Sequence, residues 1–146
     1  MRLTRYTDYS LRLLMYLALK PDELCTIKEI AEHYKISENH LMKIAHQLGV
    51  AGDIETVRGR GGGLRLARPA DAINVGAVAR RAEQDSALVE CFRPEANLCV
   101  LTPACVLKGV LGKAEERFYE ELDAVTLADL VKPQQRLKKA LALPTG

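Results

Sequence analysis

Three patterns in this 146-residue chain predict a mainly α fold with a single β-hairpin. Apolar residues recur at helical spacing through the first fifty positions, in segments opened by Thr or Ser. A run of glycines then separates two short β-prone stretches, and the last third repeats apolar residues three and four apart. The architecture expected is a group of short helices, a hairpin, and a long C-terminal helix.

Taken in order, Thr7 is expected to cap a first helix in which Leu11, Leu14, Met15, Ala18 and Leu19 form one apolar stripe, ending at Pro21 and Asp22. Residues 26–29 read as a capping box, Thr26 with Glu29, opening a short helix with Ile27, Ile30, Ala31 and Tyr34 inward. A tight break at residues 34–36 follows. Ser37 caps a third helix whose buried face is Leu41, Ile44, Ala45 and Leu48, and whose outer face carries Glu38, Asn39, His40, Lys43, His46 and Gln47. Two short helices around a tight break, the second with polar side chains near its start, are what a helix-turn-helix requires; a plain three-helix bundle shares the apolar spacing.

Residues 54–58 read as a strand, 59–63 as a turn free to take positive φ, and 64–67 as the returning strand, stopped by Pro69. A hairpin directly after a helix-turn-helix is a wing, which makes the fold class a winged helix-turn-helix. No pattern of a nucleotide phosphate loop opens a helix at these glycines. Between Thr56 and Ala70 there is no acidic residue, while Arg58, Arg60, Arg65 and Arg68 all occur, a basic stripe suited to phosphate contact. Residues 1–69 carry eleven Lys+Arg against eight Asp+Glu, and residues 70–146 ten against eleven, so the small net charge of +2 hides a basic first half.

Asn74 caps another helix with Val75, Val78, Ala79 and Ala82 on one side. Then come Cys91, Cys99 and Cys105, three of the four cysteines within fifteen residues that show no sustained periodicity. Disulfides would need an extracellular address, and no leader-like segment precedes Tyr6. Zinc usually takes four ligands with a close pair, and no such pair is present. Iron-sulfur clusters are held by thiolates on irregular loops with variable spacing, and three thiolates leave one position for another ligand. Thr102 and Pro103 are expected to start a helix with Cys105 in its first turn, where the helix dipole favours a thiolate. Cys25, standing alone, is expected to be a small buried apolar residue.

From residue 102 to 124 a helix is expected with Ala104, Leu107, Leu111, Ala114 and Phe118 as a coiled-coil seam, either against a second subunit or against the chain's own domain. Thr126 and Asp129 open a short last helix, and Pro133 begins a tail basic at Lys138 and Lys139. The division expected is 1–73 as the DNA-binding domain, 74–101 as a linking helix and cysteine loop, and 102–146 as dimerisation helix and tail. No apolar run reaches the roughly 18 residues a membrane span needs, so a cytoplasmic protein with reduced thiols and no membrane partner is expected. Catalysis is disfavoured, because all three His lie on the helices of the DNA-reading motif and no catalytic constellation assembles.

Together these features resemble the winged-helix repressor family that includes the iron-sulfur regulators IscR and NsrR. The motifs that carry the resemblance are Met1-Arg-Leu-Thr and Thr7-Asp-Tyr at the start, Asn39-His-Leu-Met-Lys-Ile in the third helix, and Val57-Arg-Gly-Arg-Gly-Gly-Gly in the hairpin. The three cysteines and Thr126-Leu-Ala-Asp-Leu complete it; the Thr-Asp-Tyr start and the last motif look more like the nitric-oxide-sensing branch. The resemblance implies a homodimer that represses transcription from a double-stranded DNA operator. It implies a 2Fe-2S or 4Fe-4S cluster on Cys91, Cys99 and Cys105 of one subunit, with Asp8 of the other as fourth ligand and nitric oxide as signal. Asp8 as a helix-start residue is the alternative reading. DNA contacts are expected from Ser37, Asn39, His40, Lys43 and Gln47 in the third helix and from Arg58, Arg60 and Arg65 in the wing. Sensing of redox or cluster status, a zinc-bound or metal-free repressor, and a redox enzyme or cluster-carrying interaction module remain the other readings.

Overall fold

The structure, a computed structural model, describes residues 2–145. Its elements are α1 (Arg5–Leu19), α2 (Ile27–Tyr34), α3 (Glu38–Val50), β1 (Ile54–Val57), β2 (Gly63–Leu66), α4 (Val75–Ala82), α5 (Val106–Asp123), α6 (Leu127–Leu130) and α7 (Gln134–Ala140). Short 3-10 turns stand at Ala70–Ala72 before α4, and at Glu90–Phe92, Pro94–Ala96 and Thr102–Ala104 in the cysteine segment. The fold is mainly helical with one antiparallel hairpin, as the patterning predicts.

The first helix begins earlier than expected. Thr4, with extended backbone, is the N-cap, and its Oγ1 accepts the N–H of Thr7 at 3.2 Å. Thr7 lies inside the helix, fully buried, and donates its hydroxyl to the Glu83 carboxylate. Leu14, Ala18 and Leu19 of the predicted stripe are buried, but so are Leu13, Tyr16 and Leu17. An amphipathic surface helix would not bury so much of its circumference; α1 does because α3, α4, α6 and β2 all pack against it.

Thr26 caps α2, its Oγ1 accepting the Glu29 N–H at 3.1 Å. The Glu29 carboxylate turns instead to Lys20 Nζ at 3.1 Å and the Tyr16 hydroxyl at 3.2 Å, so the predicted box is spent on joining α2 to α1. Lys35 takes the left-handed conformation, φ 56°, and closes α2. Ser37 then caps α3, accepting the His40 N–H at 3.4 Å. Leu41, Ile44, Ala45 and Leu48 are the buried face of α3, as predicted.

The hairpin pairs Ile54 with Leu66 and Val57 with Gly63, and its turn uses positive φ at Gly59 and Gly61. A third segment joins it: the Cys25 N–H donates to the Leu64 carbonyl at 2.9 Å, and the Leu64 N–H returns to the Cys25 carbonyl at 2.7 Å. A Cβ on Gly63 would stand 2.8 Å from the Cys25 carbonyl oxygen, so this glycine is required by backbone approach rather than by the turn. Cys25 is fully buried, and that burial pushes its thiol up to about 12.

Two buried carboxylates tie the halves together. Asp53, fully buried between α3 and β1, accepts from Arg68 beyond the hairpin and from Arg81 on α4. Glu83, at the end of α4, accepts from the Thr4 N–H at 2.7 Å, the Thr4 hydroxyl at 2.9 Å and the Thr7 hydroxyl. Asn74 caps α4 and donates to the Asp123 carbonyl at 2.7 Å, while Arg80 pairs with the Asp123 carboxylate at 2.6 Å. The capping box of α6 is complete, Thr126 with Asp129. The expected basic tail is instead the helix α7, which returns to the core: Leu143 is buried, and His33 Nδ1 lies 2.6 Å from the Leu141 carbonyl oxygen. Spacing alone could not show this, because α7 is too short for its apolar residues to mark a face.

Burial alone would raise the Glu83 carboxyl, but the hydrogen bonds from Thr7 and Thr4 outweigh it and hold the group below its ordinary range. A depressed carboxyl contributes stability that is present above its unfolded value and is lost as pH falls through the folded one. Glu83→Gln should therefore flatten the loss of stability on acidification below about pH 4, measured as urea midpoints at about pH 6 and pH 3.5. Glu83→Ala, which strands buried hydroxyls, should cost about 1–3 kcal/mol at pH 7 by the same measurement.

Candidate functional site

On α3 the buried face fixes the opposite one. Ser37, Asn39, Lys43, His46 and Gln47 are exposed, while His40 is half-buried with its ring against Tyr9, centroids 5.1 Å apart in an edge-to-face arrangement. Tyr9 in turn lies under the Arg12 guanidinium at 5.5 Å. His40 is thus held against α1, whereas the exposed heads of Asn39, Lys43 and Gln47 have no side-chain partner among the described residues and suit base edges and phosphates. The spacing also places Met42, 56% exposed, on this face, which the apolar periodicity of the helix did not flag.

The arginines of the hairpin divide into two pairs. Arg58 and Arg60, beside the glycine turn, are exposed and have no ion partner among the described residues. Arg65 sits across the ladder from Glu55 and is paired with it, and Arg68 is held by Asp53. The basic stripe read from the sequence therefore has its free charge at the tip of the wing. Its lower half is committed to internal partners, which sequence could not show because Asp53 and Glu55 precede the acid-free window.

Cys91, Cys99 and Cys105 are all half-buried and unpaired. The expected helix start at Thr102 is a 3-10 turn, and Cys105 itself is the N-cap of α5, its Sγ accepting the Lys108 N–H at 3.3 Å. The segment before it is shaped by Asn97, which accepts the Cys99 N–H at 3.0 Å and donates to the Thr102 hydroxyl at 2.8 Å; Thr102 donates to the Cys99 carbonyl at 2.9 Å. Cys99 is therefore gripped from both sides of its peptide. Among the described residues, no group of three or more His, Cys, Asp or Glu is close enough together to hold a metal ion. Asp8 makes two contacts of 2.9 Å with Arg12 and is half-buried; it does not cap α1.

No residue of α5 is buried. Of the predicted seam, Ala104 precedes the helix, Leu111 and Phe118 are half-buried, and Leu107 and Ala114 are exposed. The large apolar side chains left exposed here are Leu98, Val100 and Leu101 of the cysteine segment and Val106, Leu107 and Val110 of α5, with Val100, Leu101 and Val106 around a shared hollow beside Cys105. The seam pattern missed Val106 and Val110 because they fall one residue before its Leu107 and Leu111 steps, and it missed Leu98, Val100 and Leu101 because they lie in the loop before the helix. No helix among the described residues is long and apolar enough to cross a membrane.

A winged helix-turn-helix with free polar heads on its second helix and free arginines on its wing defines a DNA-binding protein of the transcription-regulator class. The chain belongs to the Rrf2 family of iron-dependent transcriptional regulators, whose pattern it matches over residues 3–133. It is 51% identical over 144 residues to the HTH-type transcriptional regulator NsrR of Bacillus subtilis, covering 98% of this chain and 99% of that one. To NsrR of Bacillus licheniformis it is 50% identical over 143 residues, covering 97% and 100%. Among solved structures it resembles T. potens IscR, with a TM-score of 0.74 and 27% identity over 94% of this chain and 91% of that one. It also resembles CymR, the global cysteine regulator of B. subtilis, with a TM-score of 0.71 and 28% identity over 89% and 95%. The chain is a regulator of transcription and not an enzyme.

Removing one cationic side chain from a DNA phosphate should lower the slope of log affinity against log salt by about 0.9. Arg58→Ala and Arg60→Ala should each do so in DNA-binding titrations, while Arg65→Ala, whose charge is already answered by Glu55, should leave the slope nearly unchanged.

Proposed function

We propose that the protein is a homodimeric repressor whose hold on a DNA operator is set by an iron-sulfur cluster that responds to nitric oxide. The observation that carries this reading is the placement of the cysteine segment. Three unpaired, half-buried thiols lie on one stretch that runs directly into the uncovered apolar surface of α5. A second subunit covering that surface would bring its own residues beside the thiols, which suits a group completed from the other chain.

The donor set suits an iron-sulfur cluster of two or four irons in its chemistry, three thiols free of disulfides with one capping a helix under a backbone N–H, and binding would have to draw together thiols that do not converge in the single chain. Cys91, Cys99 and Cys105 would hold it, with Asp8 of the partner subunit as the oxygen ligand. Releasing Asp8 from Arg12 opposes this little, since a half-exposed ion pair is worth about 0–1 kcal/mol. When bound, such a cluster supplies iron open to attack by nitric oxide. The protein's part is to transmit the state of the loop. Asn97 and Thr102 fix the Cys99 peptide, and α5 is joined to α4 through Asp123, Arg80 and Asn74. From α4, Glu83 reaches the start of α1 and Arg81 reaches Asp53 at the base of the wing.

In these terms residues 1–73 read DNA, 74–101 with Cys105 link and sense, and within 102–146 the dimer contact falls to α5, since α6 and α7 pack into the shared core. The names of the relatives support a regulator of transcription, and the family name supports dependence on iron. A difference of about 3 kcal/mol between the two states would change operator affinity about a hundredfold. Purified without oxygen, the protein should show a visible sulfide-to-iron band, with iron and sulfide in equal amounts, that nitric oxide bleaches. Cys99→Ala should lack the band and lose most of its operator affinity in band shifts. A colourless wild type after reconstitution, or unchanged affinity in Cys99→Ala, would remove the cluster from the account.

A further inference from the structure

Among the described residues, the large apolar side chains that are more than half exposed fall into two groups. Leu98, Val100, Leu101, Val106, Leu107 and Val110 belong to the surface formed by the cysteine segment and α5, while Met42 and Val50 stand apart on the outer face of α3. Val50 is the last residue of its helix, but Met42 is little more than one turn from the Ser37 cap. It lies between Asn39 and His46 on the same ridge and beside Lys43, the exposed heads that face the groove if α3 reads DNA. Scattered apolar residues on a surface are ordinary, but one set among groups suited to base edges is a contact in itself.

We infer that Met42 reads the C5-methyl group of a thymine in each half-site of the operator. The inference rests on the DNA-binding reading of α3 and deepens it by naming a base. Its chemistry is that of the groove. Of the four base edges, only thymine presents an apolar group in the major groove, and a helix entering there places its N-terminal residues against base edges. The unbranched, polarizable Met side chain can follow a methyl group between the hydrogen-bonding heads of Asn39 and Lys43. Burying one methyl group is worth about a fourfold change in affinity, and a two-fold symmetric complex feels it twice.

The test starts with duplexes selected from a random pool by the full-length dimer, purified without oxygen. Each thymine of the selected site is then replaced by uracil, which removes the methyl and nothing else. One replacement in a half-site should weaken wild-type binding about fourfold, and the symmetric pair about fifteenfold. Met42→Ala should bind thymine and uracil duplexes alike, and Met42→Leu should restore part of the discrimination. A merely structural role for Met42 would weaken both duplexes equally. A uracil scan that is flat for the wild type, or unchanged discrimination in Met42→Ala, overturns the inference and leaves the DNA-binding reading intact. A pool from which no sequence is enriched removes both.

Discussion

The structure depends on α1 being buried over most of its circumference. Leu13, Leu14, Tyr16, Leu17, Ala18 and Leu19 are all in the core, and α3, the hairpin, α4 and α6 meet on them. Most of the elements gathered there are short: α4 has eight residues, the strands four each and α6 four. Helices of that length owe their stability to packing rather than to propensity. The DNA-reading motif and the C-terminal half therefore share one core, and a displacement of α4 must be felt at α1.

Around that core, the polar connections are placed where helices end. Glu83 terminates α4 and holds Thr4 and Thr7 at the opening of α1; Asp53 lies between α3 and β1 and holds Arg68 and Arg81. Buried carboxylates are retained only with several donors, and removing one donor leaves a charge that water cannot reach. These two groups give the wing and the first helix a fixed relation to α4, which in turn grips α5 through Asp123. Gly76 makes that grip close: a Cβ there would overlap the Asp123 carboxylate.

The outer surfaces follow a different logic. At the wing tip, Arg58 and Arg60 are left unanswered, whereas Arg65 and Arg68 are neutralised a few residues away. On α3, His40 is drawn against Tyr9 while Asn39, Met42 and Lys43 project. On the cysteine segment and the start of α5, large apolar side chains stay exposed on the same stretch of chain as three free thiols. Each surface is a place where folding of one chain leaves groups unsatisfied, and unsatisfied groups are where partners act.

Local sequence determined the element types. The Ser37 cap, the buried face of α3, the glycine turn, the Asn74 cap and the Thr126 capping box are set by residues within a few positions of one another, so the pattern shows them directly. The nature of the free residues was equally legible: three clustered thiols, Asn39 and Lys43 on a polar face, arginines beside the turn. Tertiary structure alone decided which residues were committed elsewhere. Thr7 went to Glu83 rather than to capping, Glu29 to Lys20 rather than to its box, Arg65 and Arg68 to acids outside the basic window, and α7 to the core. The reason is physical. Periodicity and caps record interactions along a helix or strand, whereas an ion pair between residues 28 positions apart, such as Arg81 with Asp53, exists only once the chain has brought α4 against the base of the wing.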